Sequence, residues 1–178
     1  MNVPNILTTL RVALIPFFMY FFTSNLSYGN YIAVSIFILA SLTDFLDGKI
    51  ARKYNLVTNF GKIMDPFADK LLILTSLIYL AIAHIIPGWI VIIIIGRELL
   101  ITSLRVLAAG EGTIVAARKL GKYKTASQMF SIIFLIIGMT APYVFHFTGM
   151  ILLYIALVLT IWSLCDYLIQ LNKIINWN

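Results

Sequence analysis

Residues 44–70 read DFLDGKIARKYNLVTNFGKIMDPFADK, a charged stretch that separates two long apolar runs. It contains four of the seven acidic residues of the chain: Asp44, Asp47, Asp65 and Asp69. An aspartate in the middle of a membrane-spanning helix costs about 3 kcal/mol, so four of them require nearby cations and a position close to the membrane surface. The stretch therefore predicts two helices whose polar ends meet at one face of a membrane.

The composition of the whole chain supports a membrane fold. Of its 178 residues, 61% are hydrophobic and 11% are charged, which is far more apolar than an average soluble domain. A helical span needs about 20 apolar residues, and these runs are too long and continuous for the strands of a barrel. We expect an all-α, polytopic membrane protein with six transmembrane helices in one bundle and a single domain over residues 1–178. The expected spans lie near residues 6–23, 30–52, 65–86, 89–109, 122–141 and 148–171.

The basic residues predict the orientation of the chain. Loops rich in Lys and Arg face the cytoplasm, and an even number of spans then puts both termini there as well, with the protein in the plasma membrane. The same pattern explains the net charge of +6 without a nucleic-acid partner. The basic residues concerned are Lys49, Arg52, Lys53 and Lys62 between spans two and three, and Arg118, Lys119, Lys122 and Lys124 between spans four and five.

The spacing of the four aspartates places them on shared helix faces. Positions 44 and 47 are related by i,i+3 and positions 65 and 69 by i,i+4, so each pair lies on one face of its helix. Carboxylate ligands without His or Cys favour Mg²⁺ or Mn²⁺ over zinc, and four of them suit two divalent cations about 4 Å apart. The alternative is an ion-pair network, which seldom repays the desolvation of its charges. Its cations would be Lys49, Arg52, Lys62 and Lys70.

The same residues match a family signature. The chain has Asp44-Phe-Leu-Asp47-Gly48-Lys-Ile-Ala51-Arg52, then eight residues, then Gly61-Lys-Ile-Met-Asp65-Pro-Phe-Ala-Asp69. This resembles the pattern D-x2-D-G-x2-A-R-x8-G-x3-D-x3-D of the CDP-alcohol phosphatidyltransferase family at every specified position. The six-span layout resembles that family too, so the resemblance extends over essentially the whole chain. It also implies a homodimer.

The resemblance implies a role for each matching position. The aspartates at 44, 47, 65 and 69 would hold the metal ions, and Asp69 would also act as general base. Other positions would bind the CDP group, because small residues let the nucleotide approach a helix closely and an arginine suits its pyrophosphate. Near the N-terminus, Asn5 and Thr8 would hydrogen-bond the cytidine or the acceptor, with capping of the first helix as the alternative. The expected CDP-binding residues are Gly48, Ala51, Arg52, Gly61, Asn5 and Thr8.

Two further segments indicate the acceptor alcohol. Gly96-Arg97-Glu98 lies inside span four, and the basic run that starts at Arg118 opens span five. Together with the start of the chain they resemble the bacterial branch of the family whose acceptor is sn-glycerol 3-phosphate. An arginine inside a span is costly enough to indicate function, and basic residues at a helix start suit a phosphate. The alternatives are local pairing of Arg97 with Glu98 and a purely topological role for the loop. The candidate acceptor-phosphate residues are Arg97, Arg105, Arg118, Lys119, Lys122, Lys124 and Thr125.

The reaction that the resemblance implies is attack of the acceptor's primary hydroxyl on the lipid-linked phosphorus of CDP-diacylglycerol, with release of CMP. Other acceptors used within the family are phosphatidylglycerol, serine and inositol phosphate. An intramembrane prenyltransferase also uses aspartates and Mg²⁺, but with a different spacing. A cation transporter would hold its acids near the bilayer midplane rather than at the helix ends.

Overall fold

The computed structural model describes the backbone of residues 3–24, 26–54, 59–110 and 119–174. Within these segments it describes the side chains except those of residues 3–5, 44–63, 65–66, 108–110, 119–120 and 170–174. Every regular element in the described part of the chain is a helix, which confirms the all-α fold. The six helices are α1 (Val3–Thr23), α2 (Gly29–Tyr54), α3 (Asn59–Ile82), α4 (Gly88–Gly110), α5 (Lys119–Ile137) and α6 (Tyr143–Ile174).

All six helices overlap the expected apolar segments, but several ends differ. The largest difference is in α3, which begins at Asn59, six residues before the expected position 65, and ends at Ile82 rather than near residue 86. The early start means that the helix includes its polar first turns, which apolar patterning does not detect. The charged stretch therefore belongs mostly to helix ends and not to a long loop.

A turn at His84 explains the early end of α3. His84 has a positive φ of 57°, a conformation in which histidine is enriched among non-glycine residues. The His84 N–H donates to the carbonyl of Ala81 at 3.0 Å, and the Ile85 N–H donates to that of Leu80 at 2.9 Å. These two bonds form a Schellman motif, which satisfies the last carbonyls of a helix. His84 is thus a helix-terminating residue.

The tightest packing in the bundle is between α5 and α6. The Ser131 hydroxyl donates to the carbonyl of Gly149 at 2.8 Å, and the Ser127 hydroxyl donates to that of Leu152 at 2.9 Å. A Cβ at Gly149 would lie 2.7 Å from Cγ of Leu135. Small residues allow such close approach of helix backbones in membranes. The core beside this hairpin is aliphatic and aromatic, with Phe18, Phe37, Leu77, Ile90 and Leu135 among its fully buried side chains.

Two helices contain a stretch long and apolar enough to cross a membrane, Ile6–Thr23 and Tyr143–Ile169, and α2 contains a shorter apolar stretch, Gly29–Thr43. Only 28% of each long stretch is buried, so neither is the enclosed central helix of a soluble protein. Large apolar side chains face outward on other helices as well, including Ile92 and Leu99 on α4. Such a surface is typical of contact with lipid. These features agree with a membrane protein.

Candidate active site

A cavity of about 680 Å³ lies between α3, α4 and α5, within the usual size range of small-molecule sites. Its wall includes Asp69 from the first half of α3, Arg105 from the last part of α4 and Lys122 from the start of α5. The wall therefore combines the middle of α3, the second half of α4 and the first half of α5. The C-terminal half of α2, which carries Asp44 and Asp47, precedes the start of α3 in the chain.

Part of the cavity wall is a largely buried cluster of charges. Oε1 of Glu98 accepts a hydrogen bond from Nη1 of Arg97 at 3.0 Å and another from Nζ of Lys124. Nη2 of Arg97 donates to the hydroxyl of Ser163 on α6 at 2.7 Å. The side chains of Arg97, Glu98 and Lys124 are 10%, 14% and 5% exposed, so the cluster has two cations and one anion largely away from water. Its net positive charge, inside an apolar bundle, favours an anionic ligand.

Arg97 combines a local ion pair with a position in the cavity wall. It forms the expected local pair with Glu98, and it also lines the cavity. Its Nε is buried and has no hydrogen-bond partner among the described residues. An arginine with a spare donor beside a cavity remains able to bind a phosphate oxygen.

Further residues of the predicted acceptor site also reach the cavity. Lys122, Thr125 and Arg105 lie in its wall. The guanidinium carbon of Arg105 lies 5.8 Å from the centroid of the Tyr167 ring, a cation–π distance. The hydroxyl of Thr125 donates to the carbonyl of Gly121 at 3.1 Å. The structure thus brings together five of the seven candidate acceptor residues, and the side chains of the other two, Arg118 and Lys119, lie outside the described part.

A second, more apolar cavity of about 520 Å³ adjoins the first between α3 and α4. Lys70, Leu74 and Glu98 line both cavities, so the two are neighbours that share part of a wall. Nζ of Lys70 donates to the hydroxyl of Thr102 across the two helices at 2.6 Å. The remaining wall is largely hydrophobic, with Met64, Phe67, Leu71 and Leu99.

The predicted nucleotide-binding residues are mostly outside the described side chains. This applies to Asn5, Gly48, Ala51, Arg52 and Gly61. Thr8 is described: it is fully buried on α1, one turn before the fully buried Arg11, and it is not among the residues that line the two cavities.

The aspartates proposed to hold the metal ions lie on α2 and α3. The side chains of Asp44, Asp47 and Asp65 lie outside the described part of the chain, and among the side chains that are described no three His, Cys, Asp or Glu form a metal-binding group. Positions 44 and 47 fall in one continuous helix, and positions 65 and 69 fall in the next. Each pair therefore shares a helix face. Oxygen-only donors of this kind suit Mg²⁺ or Mn²⁺.

Sequence patterns did not assign two polar residues of the cavity wall to the site. Gln128 is 2% exposed, lines the cavity, and its Nε2 has no partner among the described residues. The spacing could have indicated it, because Gln128 follows Lys124 by four residues and so lies on the same face of α5. Lys70 was considered only as a counter-ion for the aspartates, but it bridges α3 and α4 through Thr102.

Comparisons with known proteins identify the family of the chain. Residues 1–162 match the family model described as CDP-alcohol phosphatidyltransferase. The chain is 46% identical to the CDP-diacylglycerol–glycerol-3-phosphate 3-phosphatidyltransferase of Bacillus subtilis, over 74% of both chains. It is 40% identical to the Haemophilus influenzae enzyme of the same name, over 94% of this chain and 91% of the relative, and 36% identical to that of Escherichia coli K12, over 94% and 93%. The chain therefore belongs to the CDP-alcohol phosphatidyltransferase family.

Proposed function

We propose that the protein transfers the phosphatidyl group of CDP-diacylglycerol to sn-glycerol 3-phosphate, giving phosphatidylglycerophosphate and CMP. The observation that carries the proposal is the shared cavity, in which Asp69 of the family signature faces the same space as the buried cations Arg97 and Lys124. The names of the relatives support the donor and the acceptor. A phosphorylated acceptor explains the cationic wall, since a neutral alcohol would not need it.

Asp69 is the proposed general base. Its carboxylate takes the proton of the C1 hydroxyl of sn-glycerol 3-phosphate while that oxygen attacks the lipid-linked phosphorus. A new oxygen–phosphorus bond forms, the bond to the bridging pyrophosphate oxygen breaks, and CMP leaves with the electron pair. A positioned base of this kind contributes about 10²–10⁴-fold to rate.

Two divalent cations, Mg²⁺ or Mn²⁺, are the proposed cofactors, held by Asp44, Asp47, Asp65 and Asp69. When bound, they neutralise the pyrophosphate and stabilise the charge on the leaving group. Gly48, Ala51, Arg52 and Gly61 are the proposed contacts of the CDP group, with Asn5 and Thr8 near the cytidine or the acceptor.

The cationic wall of the cavity is the proposed site for the acceptor phosphate. Arg97, which has a spare Nε, and Lys124 are largely buried, while Lys122 and Arg105 are exposed. This arrangement fits an anion that arrives from water and moves inward toward Asp69. The proposed acceptor-phosphate site also includes Thr125 and, shortly before Lys122 in the sequence, Arg118 and Lys119.

The membrane arrangement is part of the proposal. All six helices span the plasma membrane, the whole chain acts as one domain, and the site and both termini face the cytoplasm, as the basic loops indicate. The diacylglycerol tails lie toward the apolar cavity between α3 and α4, which adjoins the polar one. The working unit is a homodimer.

Membrane-impermeant labelling tests the orientation. In a protein with Ser27→Cys and Cys165→Ser, the new thiol should react only from outside the cell.

The experiment that tests the function is CMP release by the purified protein in detergent with CDP-diacylglycerol and Mg²⁺. The acceptors to compare are sn-glycerol 3-phosphate, serine, inositol phosphate, phosphatidylglycerol and none. We expect release only with sn-glycerol 3-phosphate. Release with a different acceptor would keep the chemistry and overturn the acceptor, whereas no release with any of them, together with cation flux in liposomes, would favour a transporter.

A further inference from the structure

Gln128 is a buried polar side chain that the proposed mechanism has not used. It lies in the cavity wall and is 2% exposed, yet its Nε2 donates to no other described residue. Leaving a buried donor unsatisfied is costly, and most buried polar atoms in proteins have a partner. A donor of this kind in a cavity wall can be satisfied by the ligand that occupies the cavity.

The position of Gln128 relative to its neighbours indicates which part of a ligand it meets. It follows Lys124 by one helical turn on the same face of α5, and it shares the cavity with Asp69 of α3. In the proposed function the cations of the wall bind the phosphate of the acceptor, and Asp69 takes the proton of its reacting C1 hydroxyl. In sn-glycerol 3-phosphate the C2 hydroxyl lies chemically between these two groups. A carboxamide, which both donates and accepts, matches a hydroxyl better than a phosphate.

We infer that Gln128 is a specificity-determining residue that hydrogen-bonds the C2 hydroxyl of the acceptor and so selects a glycerol phosphate over a phosphorylated alcohol without that hydroxyl. This inference rests on the proposed function. A site built to bond a hydroxyl discriminates strongly against an analogue that lacks it, because the protein group is then left unpaired. The contact orients the C1 hydroxyl toward Asp69 and leaves the phosphate to the cations.

The test compares sn-glycerol 3-phosphate with 3-hydroxypropyl phosphate, which keeps the primary hydroxyl and the phosphate but lacks the C2 hydroxyl. For the unmodified protein we expect kcat/KM for CMP release to favour sn-glycerol 3-phosphate by roughly 10- to 100-fold. In Gln128→Met, which has a similar size and no hydrogen-bonding amide, this ratio should fall below about 5, mainly through loss of activity with sn-glycerol 3-phosphate. The KM for CDP-diacylglycerol should stay the same.

Two results would overturn the inference. One is an unmodified protein that uses both acceptors equally well, a measurement that does not depend on whether the variant folds. The other is a folded Gln128→Met protein that retains the full preference, since a merely structural glutamine would lower both activities together. If the unmodified protein releases no CMP with sn-glycerol 3-phosphate, the proposed function itself fails. If it releases CMP but shows either of the two results above, only the inference about Gln128 fails.

Discussion

The α5–α6 hairpin and the α3–α4 pair are both neighbouring helices joined by short turns, but they pack in opposite ways. The α5–α6 contact is the most extensive in the bundle. There, Gly149 lies against Leu135, and hydroxyls of α5 bond directly to carbonyls of α6. The α3–α4 contact is much smaller, and two cavities with charged side chains in their walls lie beside it.

The difference indicates that the α5–α6 contact stabilises the bundle, whereas the space beside α3 and α4 is available to a ligand. Small residues bring two backbones into contact where nothing has to enter. Long charged side chains such as Lys70 and Arg97 extend across the space between helices and bond to Thr102 and Ser163. Substitutions at the α5–α6 contact should therefore change stability with little effect on catalysis. Substitutions around the cavities should change catalysis, and they should also change stability where they leave a buried charge without its partner.

Asp69→Asn should have the largest effect on catalysis. The amide cannot take the proton of the acceptor hydroxyl, so kcat for CMP release should fall by about 10²–10⁴-fold. The variant should still fold and show a cooperative thermal unfolding transition in detergent, because Asp69 lies in a cavity wall and outside the tight α5–α6 packing. A variant with near-normal activity would remove Asp69 from its role as base.

The matched control is Asp166→Asn on α6, which makes the same chemical change away from the walls of both cavities. We expect this protein to keep kcat within a few-fold of the unmodified value. Equal losses in both variants would indicate a general need for negative charge.

Glu98→Gln should lower the free energy of unfolding of the protein. The change leaves Arg97 and Lys124 buried without their carboxylate, and removal of one partner from a buried ion pair costs about 3–5 kcal/mol. The free energy of unfolding in detergent micelles should fall by about 3 kcal/mol. In the double variant Glu98→Gln with Lys124→Met, one of the two stranded charges is gone, and most of the stability should return while activity with sn-glycerol 3-phosphate remains low. If the single variant is as stable as the original, the cluster does not stabilise the bundle.

Gly149→Ala tests the close packing of α5 against α6 and should destabilise the protein. The added Cβ would lie 2.7 Å from Cγ of Leu135 and 3.0 Å from its backbone nitrogen, and overpacking of this kind costs about 1–3 kcal/mol. The matched control is Gly96→Ala in α4, where nothing lies within 4 Å of the new Cβ. That substitution should be neutral or slightly stabilising, because alanine favours a helix by about 1 kcal/mol over glycine. Similar unfolding temperatures for the two variants would contradict the close packing of α5 and α6.

The sequence predicted the fold well because the apolar runs are long and the polar breaks are short. It was less accurate at helix ends, where the signal is local. The polar first turns of α3 lowered its hydropathy, and the end of α3 depends on one left-handed residue, His84, which no apolar pattern indicates. The packing of α5 on α6 was also not predictable, since a glycine in a span does not reveal what it touches.

For the candidate site, the sequence identified the charged side chains and the local pairing of Arg97 with Glu98, but not the partners that lie on other helices. Arg97 was conspicuous because it is a cation within an apolar run, and Lys124 because it lies in a basic run. The bond from Lys124 to Glu98 joins α5 to α4, and the bond from Arg97 to Ser163 joins α4 to α6, so both depend on how the helices pack. Gln128 was missed because a single amide in an apolar helix is ordinary until its unpaired nitrogen and the adjacent cavity are known.

Lys122→Ala should have the smallest effect and defines the outer edge of the cavity. Lys122 is exposed at the start of α5 and lines the cavity, so its charge acts through water and is screened by salt. We expect KM for sn-glycerol 3-phosphate to rise about 3- to 10-fold with kcat unchanged, consistent with a loss of about 1 kcal/mol from one exposed charge interaction. The change should shrink as salt is raised, and Lys122→Arg, which keeps the charge, should behave like the unmodified protein. A salt-independent loss of kcat would instead place Lys122 with the buried cluster, because only a charge shielded from solvent escapes screening.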